Sequence, residues 1–598
     1  MRCCLGSHFL RLVVVGCLSA AWTDPAIAPA RGDESPEKQP PRDLYSDTWV
    51  ATDGLGRRLP DHQACGPPRQ GKHVGIFYFL WLGQHGTGGP YDITKITDGS
   101  PDQPAWGPPG AFHHWGEPQW GYYLSTDAFV IRKHAHALAD AGVDVLFFDV
   151  TNGPTYEAAY LAVCRVFRTI REEGHRTPQI AFLTNSHSDQ VVRRLYEGFY
   201  TKGLYRELWF VWQGKPLMLA KTDGLSREIR DFFTFRQSWA WSGTAWFGDG
   251  RDKWPWLDHY PQQPGWHEPG KPEQMPVAVA QHPITNIGRS FHAGHQPPPS
   301  ECRTDEGLCF AEQWERALQV DPQMIFITGW NEWVAQRFVA DRAMQFLGQP
   351  IPQGETYFVD QYNREFSRDI EPMRGGHGDN YYYQMAANIR RYKGVRPLPK
   401  PGPPQEVTID GDFAEWRSVE PEFRDTAFDT VPRDQPGWGS AGRYVDRTGR
   451  NDFVTLKVAD DPRHVAFYAE TRGPISPHTD PRWMLLFLDA DCDPQTGWQG
   501  YDYVVNHQVA GPRQSTLQRI ARDGRATPVA EIPLAVAGNR LELKLPRELL
   551  GAEGGLKFDF HWADNPQRDF DLAEFTLHGD SAPNGRFNYR YHRRLPSP

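Results

Sequence analysis

Two carboxylates carry the chemistry that this chain could do. Glu332 stands near the end of Met324-Ile325-Phe326-Ile327-Thr328-Gly329-Trp330-Asn331-Glu332-Trp333, where an apolar run stops abruptly in polar groups and indoles. A short apolar run of this kind reads as a fully buried strand. Catalytic carboxylates of parallel α/β barrels sit at the C-terminal ends of such strands. Asp149 ends a second dry run that contains Phe147 and Phe148. Burial there raises a carboxyl pKa unless donors stabilise the charge. A glycosidic bond needs one carboxyl acid to protonate the leaving oxygen, and usually a second carboxylate as nucleophile or base. Asp149 and Glu332 come from different strand ends, so they could flank one bond. Glu371, in Ser367-Arg368-Asp369-Ile370-Glu371-Pro372, is a third candidate, although Arg368 could simply neutralise Asp369 and Glu371.

Groups suited to holding a sugar surround these carboxylates in the sequence. Indole faces stack on flat apolar surfaces, and Trp115, Trp239, Trp241, Trp330 and Trp333 are the candidate platforms in a chain with 22 tryptophans. His114, Asn185, His187, Gln281, His282 and Asn331 lie at strand ends or in a long loop, and each could bond a hydroxyl. As a set at one barrel face they point to a substrate site. The histidine spacings match no metal-ligand motif, so catalysis is expected to need no cofactor. A net charge of -10 on 598 residues argues against nucleic acid, which requires clustered Lys and Arg.

The elements that must position these groups alternate. Strands are expected at residues 74–81, 143–149, 179–183, 216–220 (the second arm of a hairpin), 232–241, 277–281, 324–328 and 357–360. Helices are expected at 127–141, 156–173, 310–320 and 381–392. Such alternation indicates a parallel sheet, and eight strands suit a (β/α)8 barrel of the TIM type. A doubly wound sheet would place a glycine-rich phosphate loop after the first strand; none is present. The long loop from about 82 to 123 is rich in aromatics, and loops of this length are commonly functional.

The remainder divides by composition. Residues 1–30 read as a secretory signal and 31–70 as an extended leader. The barrel spans 71–393, and a stiff proline-rich linker spans 394–405. Short alternating strands over 406–598 predict an all-β sandwich. The chain is therefore expected to be exported, with no membrane span; Cys17 fits a lipid-anchor box only loosely, because apolar residues continue past it. Cys302 and Cys309 flank a polar loop and are expected to form a disulfide in an oxidising compartment. In the sandwich, Asp489, Asp491 and Asp493 alternate as in a calcium loop, but Pro494 stands where that loop has glycine and the closing Glu is missing.

Gly329-Trp330-Asn331-Glu332-Trp333 after an apolar strand resembles glycoside hydrolase families 99 and 71 and the related WbsX-like domain. Gly142-Val143-Asp144 leading into Phe147-Phe148-Asp149, and Gln213-Gly214-Lys215-Pro216, resemble other strands of that group. The resemblance covers residues 72–393 and implies a barrel acting on α-linked glycans such as α-mannosides. The family continues Glu-Trp-x-Glu-Gly with both carboxylates catalytic, whereas Ala335 stands here at the second Glu. Only Glu332 transfers, and the acid would be Asp149 or Glu371. The Ile409-Asp410-Gly411-Asp412 opening with Glu415-Trp416 is similar to family 9 carbohydrate-binding modules. An exported glycoside hydrolase is the reading these features favour. A non-catalytic glycan-binding protein and a polysaccharide-synthesising glycosyltransferase are the alternatives, and the signal sequence speaks against the last.

Overall fold

The computed structural model describes residues 41–594 apart from 101–102, 282–286, 347–348, 360–361 and 551–554. Besides four strands of two or three residues (Tyr91–Asp92, Gly265–Trp266, Met344–Phe346 and Gln349–Ile351), the first part has β1 (His73–Tyr78), β2 (Phe112–His114), β3 (Val145–Val150), β4 (Gln179–Thr184), β5 (Val211–Trp212), β6 (Lys215–Leu219), β7 (Thr234–Arg236), β8 (Pro272–Ala278), β9 (Met324–Thr328), β10 (Val334–Val339) and β11 (Thr356–Phe358). Seven of them are parallel, in the spatial order β7-β6-β4-β3-β1-β9-β8. β5 pairs antiparallel with β6 as the expected hairpin.

Residues 253–257 fill the gap between β7 and β8. Parallel bridges join Gln237 to Lys253 and Ala240 to Leu257, and Leu257 packs on Ala278 of β8. Gln274 donates its Nε2 to Pro255 O at 2.8 Å. This irregular stave takes the eighth place in the barrel. The strand expected there, 357–360, goes elsewhere: β11 pairs antiparallel with β10, and Asp360 lies outside the described residues. The chain after Trp333 continues as β10, which takes β2 on one edge and β11 on the other. That small sheet captures the segment.

Alternate residues of the barrel strands point inward, as a period of two requires. Phe77, Val145, Phe147, Leu183, Leu219, Phe326 and Trp254 form one interior cluster. A Cβ on Gly75 would lie 2.1 Å from the Phe147 ring, so glycine is what lets that ring fill the axis. The opposite face packs on helices α1 (Ala128–Ala141), α2 (Glu157–Glu172), α3 (Ser188–Leu195), α4 (Leu308–Val320) and α5 (Asn380–Lys393). The cap of α1 is Asp127. Its Oδ1 accepts from Phe129 N and Val130 N at 3.0 and 3.2 Å.

The second part is one folded antiparallel sheet: β12 (Glu422–Arg424), β13 (Arg433–Pro436), β14 (Arg443–Asp446), β15 (Phe453–Asp460), β16 (His464–Thr471), β17 (Leu485–Asp489), β18 (Tyr503–Gly511), β19 (Gln514–Ile520), β20 (Ala526–Ala537), β21 (Arg540–Pro546), β22 (Gly555–Asp564), β23 (Asp580–Ala582) and β24 (Tyr589–Arg594). Its order is β12-β15-β16-β21-β20-β19-β18-β17-β22-β23, with β24 also on β22 and the β13–β14 hairpin apart. The long β20 pairs β19 with its first part and β21 with its last, which turns the sheet into two layers. Phe467 of one layer meets Phe558 and Phe560 of the other, with ring centroids 5.7 and 5.8 Å apart.

Barrel and sandwich share contacts well beyond the linker, and the described residues from Pro41 onward form one compact unit. Trp49 of the leader lies against Phe587 and Tyr589, and Tyr382 of α5 also reaches Phe587. The Asp127 cap carboxylate holds Arg433 of β13 at 2.7 Å, both buried. Trp438, between β13 and β14, donates its Nε1 to Gly88 O at 2.8 Å and stands edge-on to His114. Linker residue Arg396 pairs with Asp43 and Asp47 of the leader.

Candidate active site

The motif after β9 is held by its own side chains. Asn331 accepts Phe79 N at 2.9 Å and donates to Phe79 O at 3.2 Å, clamping the end of β1. Trp333 is fully buried, stacks on Trp115 with centroids 4.4 Å apart, and donates its Nε1 to Glu371. Glu371 is itself wholly enclosed. Tyr123 OH donates to its Oε2 at 2.6 Å, and His134 Nε2 lies 3.1 Å from its Oε1. Trp330 is buried edge-on to His134. These groups fix the backbone on which Glu332 rides.

Glu332 is the member of the motif whose carboxylate meets a cation. Arg368 donates its Nη2 to Oε2 at 2.7 Å, and the guanidinium lies 5.5 Å from the centre of the Trp256 ring. Asp369 Oδ1 accepts Glu332 N at 2.8 Å, and Glu332 O accepts Trp115 Nε1 at 3.0 Å. Burial pushes Asp369 up to about 7, against the pull of the Glu332 amide and of the Arg368 and Arg289 guanidiniums. Asp369 is 0% exposed and is joined to Glu332 through that backbone amide.

An arc of rings runs round the C-terminal ends of the barrel strands. From Trp239 it passes through Trp256, Phe77, Phe79, Trp81, Phe112 and His85 to Tyr156, with successive centroids 4.8–6.5 Å apart. His85 Nε2 and Tyr156 OH are 3.0 Å apart. Arg368 brings Glu332 to one part of this arc. Asp149 stands at the other: burial first, then the Asp149 charge, raises the Tyr156 phenol. Asp149 is on the inward face of β3, with Val145 and Phe147, and its Oδ1 accepts Thr151 N at 2.9 Å. His85 and Tyr156 were not singled out from sequence; each lies in a loop just past a strand end, which is the only signal they carry.

The other expected site residues divide. Asn185 and His187 follow β4 at the same end of the barrel, half-buried and exposed respectively, and Trp239 and Trp241 are half-buried. Gln281 is buried and spends its amide on Trp241 Nε1 and Asp258 O. Burial pushes His114 down to about 3, and the ring is packed between Tyr122 and Trp438. His114, Trp115, Trp330, Asn331, Trp333 and Glu371 therefore form the layer behind the mouth, because the chain turns back through β10 and covers them. His282 lies outside the described residues. Ala335 points into an apolar cluster with Ile93 and Phe358.

Two further expectations change. Cys302 and Cys309 are free thiols. The Cys302 Sγ turns to Pro298 O at 3.6 Å, while Cys309 is buried in the first turn of α4, facing the core. In the sandwich turn, Asp489 and Asp491 converge with Asp502; Asp493 instead accepts Gln495 N and pairs with Arg58. A groove of about 1160 Å³ runs between the leader, the linker and this turn, and shares no lining residue with the barrel mouth.

No protein-family model matches the chain, and no curated protein sequence does. Among solved structures it is similar to the GH99 endo-α-mannosidase of Bacteroides thetaiotaomicron. One structure of that enzyme, in complex with BIS-TRIS-propane, is 14% identical with a TM-score of 0.30; another is 15% identical with a TM-score of 0.29. Each match covers 54% of this chain and 97% of the other. The barrel described above rests on the strand order and register of this chain itself. Among the described residues no helix is long and apolar enough to cross a membrane.

Proposed function

We propose that this chain is an exported glycoside hydrolase that cleaves α-linked glycans, with Glu332 as base or nucleophile and Asp149 as acid. One observation carries the reading: both carboxylates lie at C-terminal strand ends of a parallel barrel, beside one arc of aromatic rings. The charge-assisted bond from Arg368 favours the ionised form of Glu332, as a base or nucleophile requires. Asp149 is then the group at that face left to protonate the leaving oxygen, since Glu371 is enclosed by Tyr123, Trp333 and His134. The half-buried rings of Trp81, Trp239 and Trp256 offer faces for sugar. Export rests on the signal-like residues 1–30, which lie outside the described part.

The test is reducing-end release from a panel of α-linked polysaccharides by the full chain, Glu332→Gln and Asp149→Asn. Wild type should release sugar, and each variant should lose at least ~100-fold in turnover. Ala335 in an apolar cluster favours a second reading, a glycan-binding protein without turnover. Under it, wild type binds one of the panel, releases nothing, and Glu332→Gln binds equally well.

A further inference from the structure

A group of carboxylates that the reading above does not use lies where the sandwich meets the barrel. Asp425 follows β12, Asp429 lies one short turn later, and Asp580 opens β23. One oxygen from each lies within 4.8 Å of the others. Asp425 is 0% exposed, Asp429 2% and Asp580 5%. Asp580 accepts Phe453 N and Ser581 N at 2.6 and 2.9 Å. Neither oxygen of Asp425 and neither oxygen of Asp429 accepts a well-formed hydrogen bond, although the Thr426 amide lies beside Asp425 and the Asp580 carboxyl beside Asp429. From the barrel side, Asp140 of α1 adds a fourth carboxylate, whose Oδ2 also lacks a donor.

The neighbouring cations are engaged elsewhere. Arg132 grips Glu173 with both Nη atoms and donates to Phe428 O. Arg42 bonds Val454 O, Thr455 Oγ1 and the backbone O of Asp425. Arg472 pairs with Asp452; Lys133, 5.6 Å over the Phe129 ring, acts on Asp429 only through its charge, as Arg132 does. A buried carboxylate without a donor or cation is costly.

We propose that Asp425, Asp429 and Asp580 bind one calcium ion, which pins the edge of the sandwich beside α1 of the barrel. Calcium takes oxygens at ~2.3–2.6 Å, so two ligand atoms on one ion stand at most ~5 Å apart, which accommodates the observed convergence. An all-carboxylate set suits hard cations and excludes thiophilic ones. Magnesium keeps several of its waters and demands near-octahedral geometry, which fits this enclosed, irregular set less well.

The experiment uses the full chain carrying Asp491→Asn, so that the turn around Asp489 and Asp502 contributes no ion. The protein is stripped with EGTA, dialysed against calcium chloride, and read by elemental analysis and thermal melting. One calcium per chain is expected, with a melting temperature that falls on chelation. Adding Asp425→Asn and Asp429→Asn should abolish both the bound calcium and the response to EGTA. If that protein does not fold, Asp429→Asn alone in the Asp491→Asn background should weaken calcium binding at least ~10-fold, since even supporting groups of metal sites cost that much. No calcium in the Asp491→Asn protein, calcium retained after the added substitutions, or unchanged affinity in the single addition would each overturn the proposal; the cluster would then be holding protons.

Discussion

Glu332 and Glu371 are two buried glutamates tied to one tryptophan-rich motif, and they are held in opposite ways. Glu371 spends its oxygens on Tyr123, Trp333 and His134, with no surface left. Glu332 meets the Arg368 guanidinium, which also lies on the Trp256 ring. Under the proposed reading, the carboxylate enclosed by donors fixes the fold, and the one that meets a guanidinium at a strand end acts on the ligand. The two therefore should fail differently when altered.

The largest effect is expected from Glu332→Gln, which keeps the shape and removes the charge. Turnover on the active glycan should fall at least ~100-fold while the melting temperature stays near wild type. Near-normal turnover would erase the contrast with Glu371. Glu371→Gln should reverse the pattern. It leaves buried donors poorly matched and should cost roughly 1–3 kcal/mol of stability, read by denaturant unfolding, with kcat of the folded protein within a few-fold of wild type. A large loss of kcat with unchanged stability would move Glu371 into the mouth chemistry.

A smaller effect should come from His114, in the layer behind the mouth. Its pKa is lowered from 6.5 to about 3 by burial, so the folded ring is neutral while the unfolded ring takes a proton. Stability is full above 6.5 and is lost as pH falls from 6.5 towards about 3. That loss is at most ~1.4 kcal/mol per pH unit. His114→Gln should flatten the acid limb of the stability curve over this window; an unchanged slope would show that the ring already titrates in the fold. Smallest of all, the wild-type melting temperature should be the same in oxidising and reducing buffer and should not change with Cys302→Ser, because the two thiols face different surroundings. A clear redox difference in wild type would restore the disulfide.

Much of the barrel was legible in the sequence, and for a local reason. Dry runs such as 145–150 and 324–328 are buried on both faces, so composition alone marks them. The hairpin at Gln213-Gly214, the helices and the change to alternating strands after the proline-rich linker are likewise written in near neighbours. The eighth stave was not. Residues 253–257 are irregular and carry Pro255, so no periodicity announces them, and only the gap between β7 and β8 gives them a place.

For the site, the sequence by itself determined which residues could do chemistry: a Glu at one strand end and an Asp at another. Only the tertiary structure decided which neighbours serve them. Trp115, Trp330 and Trp333 are indoles like Trp81, Trp239 and Trp256, yet the first three are buried and the last three are half-exposed at the mouth. Exposure depends on what packs across the ring, and here β2, β10 and the β13–β14 hairpin come from distant parts of the chain. The same holds for Asp425, Asp429 and Asp580: as separate residues they look like surface acids, and only the folded sheet buries them and brings their oxygens together.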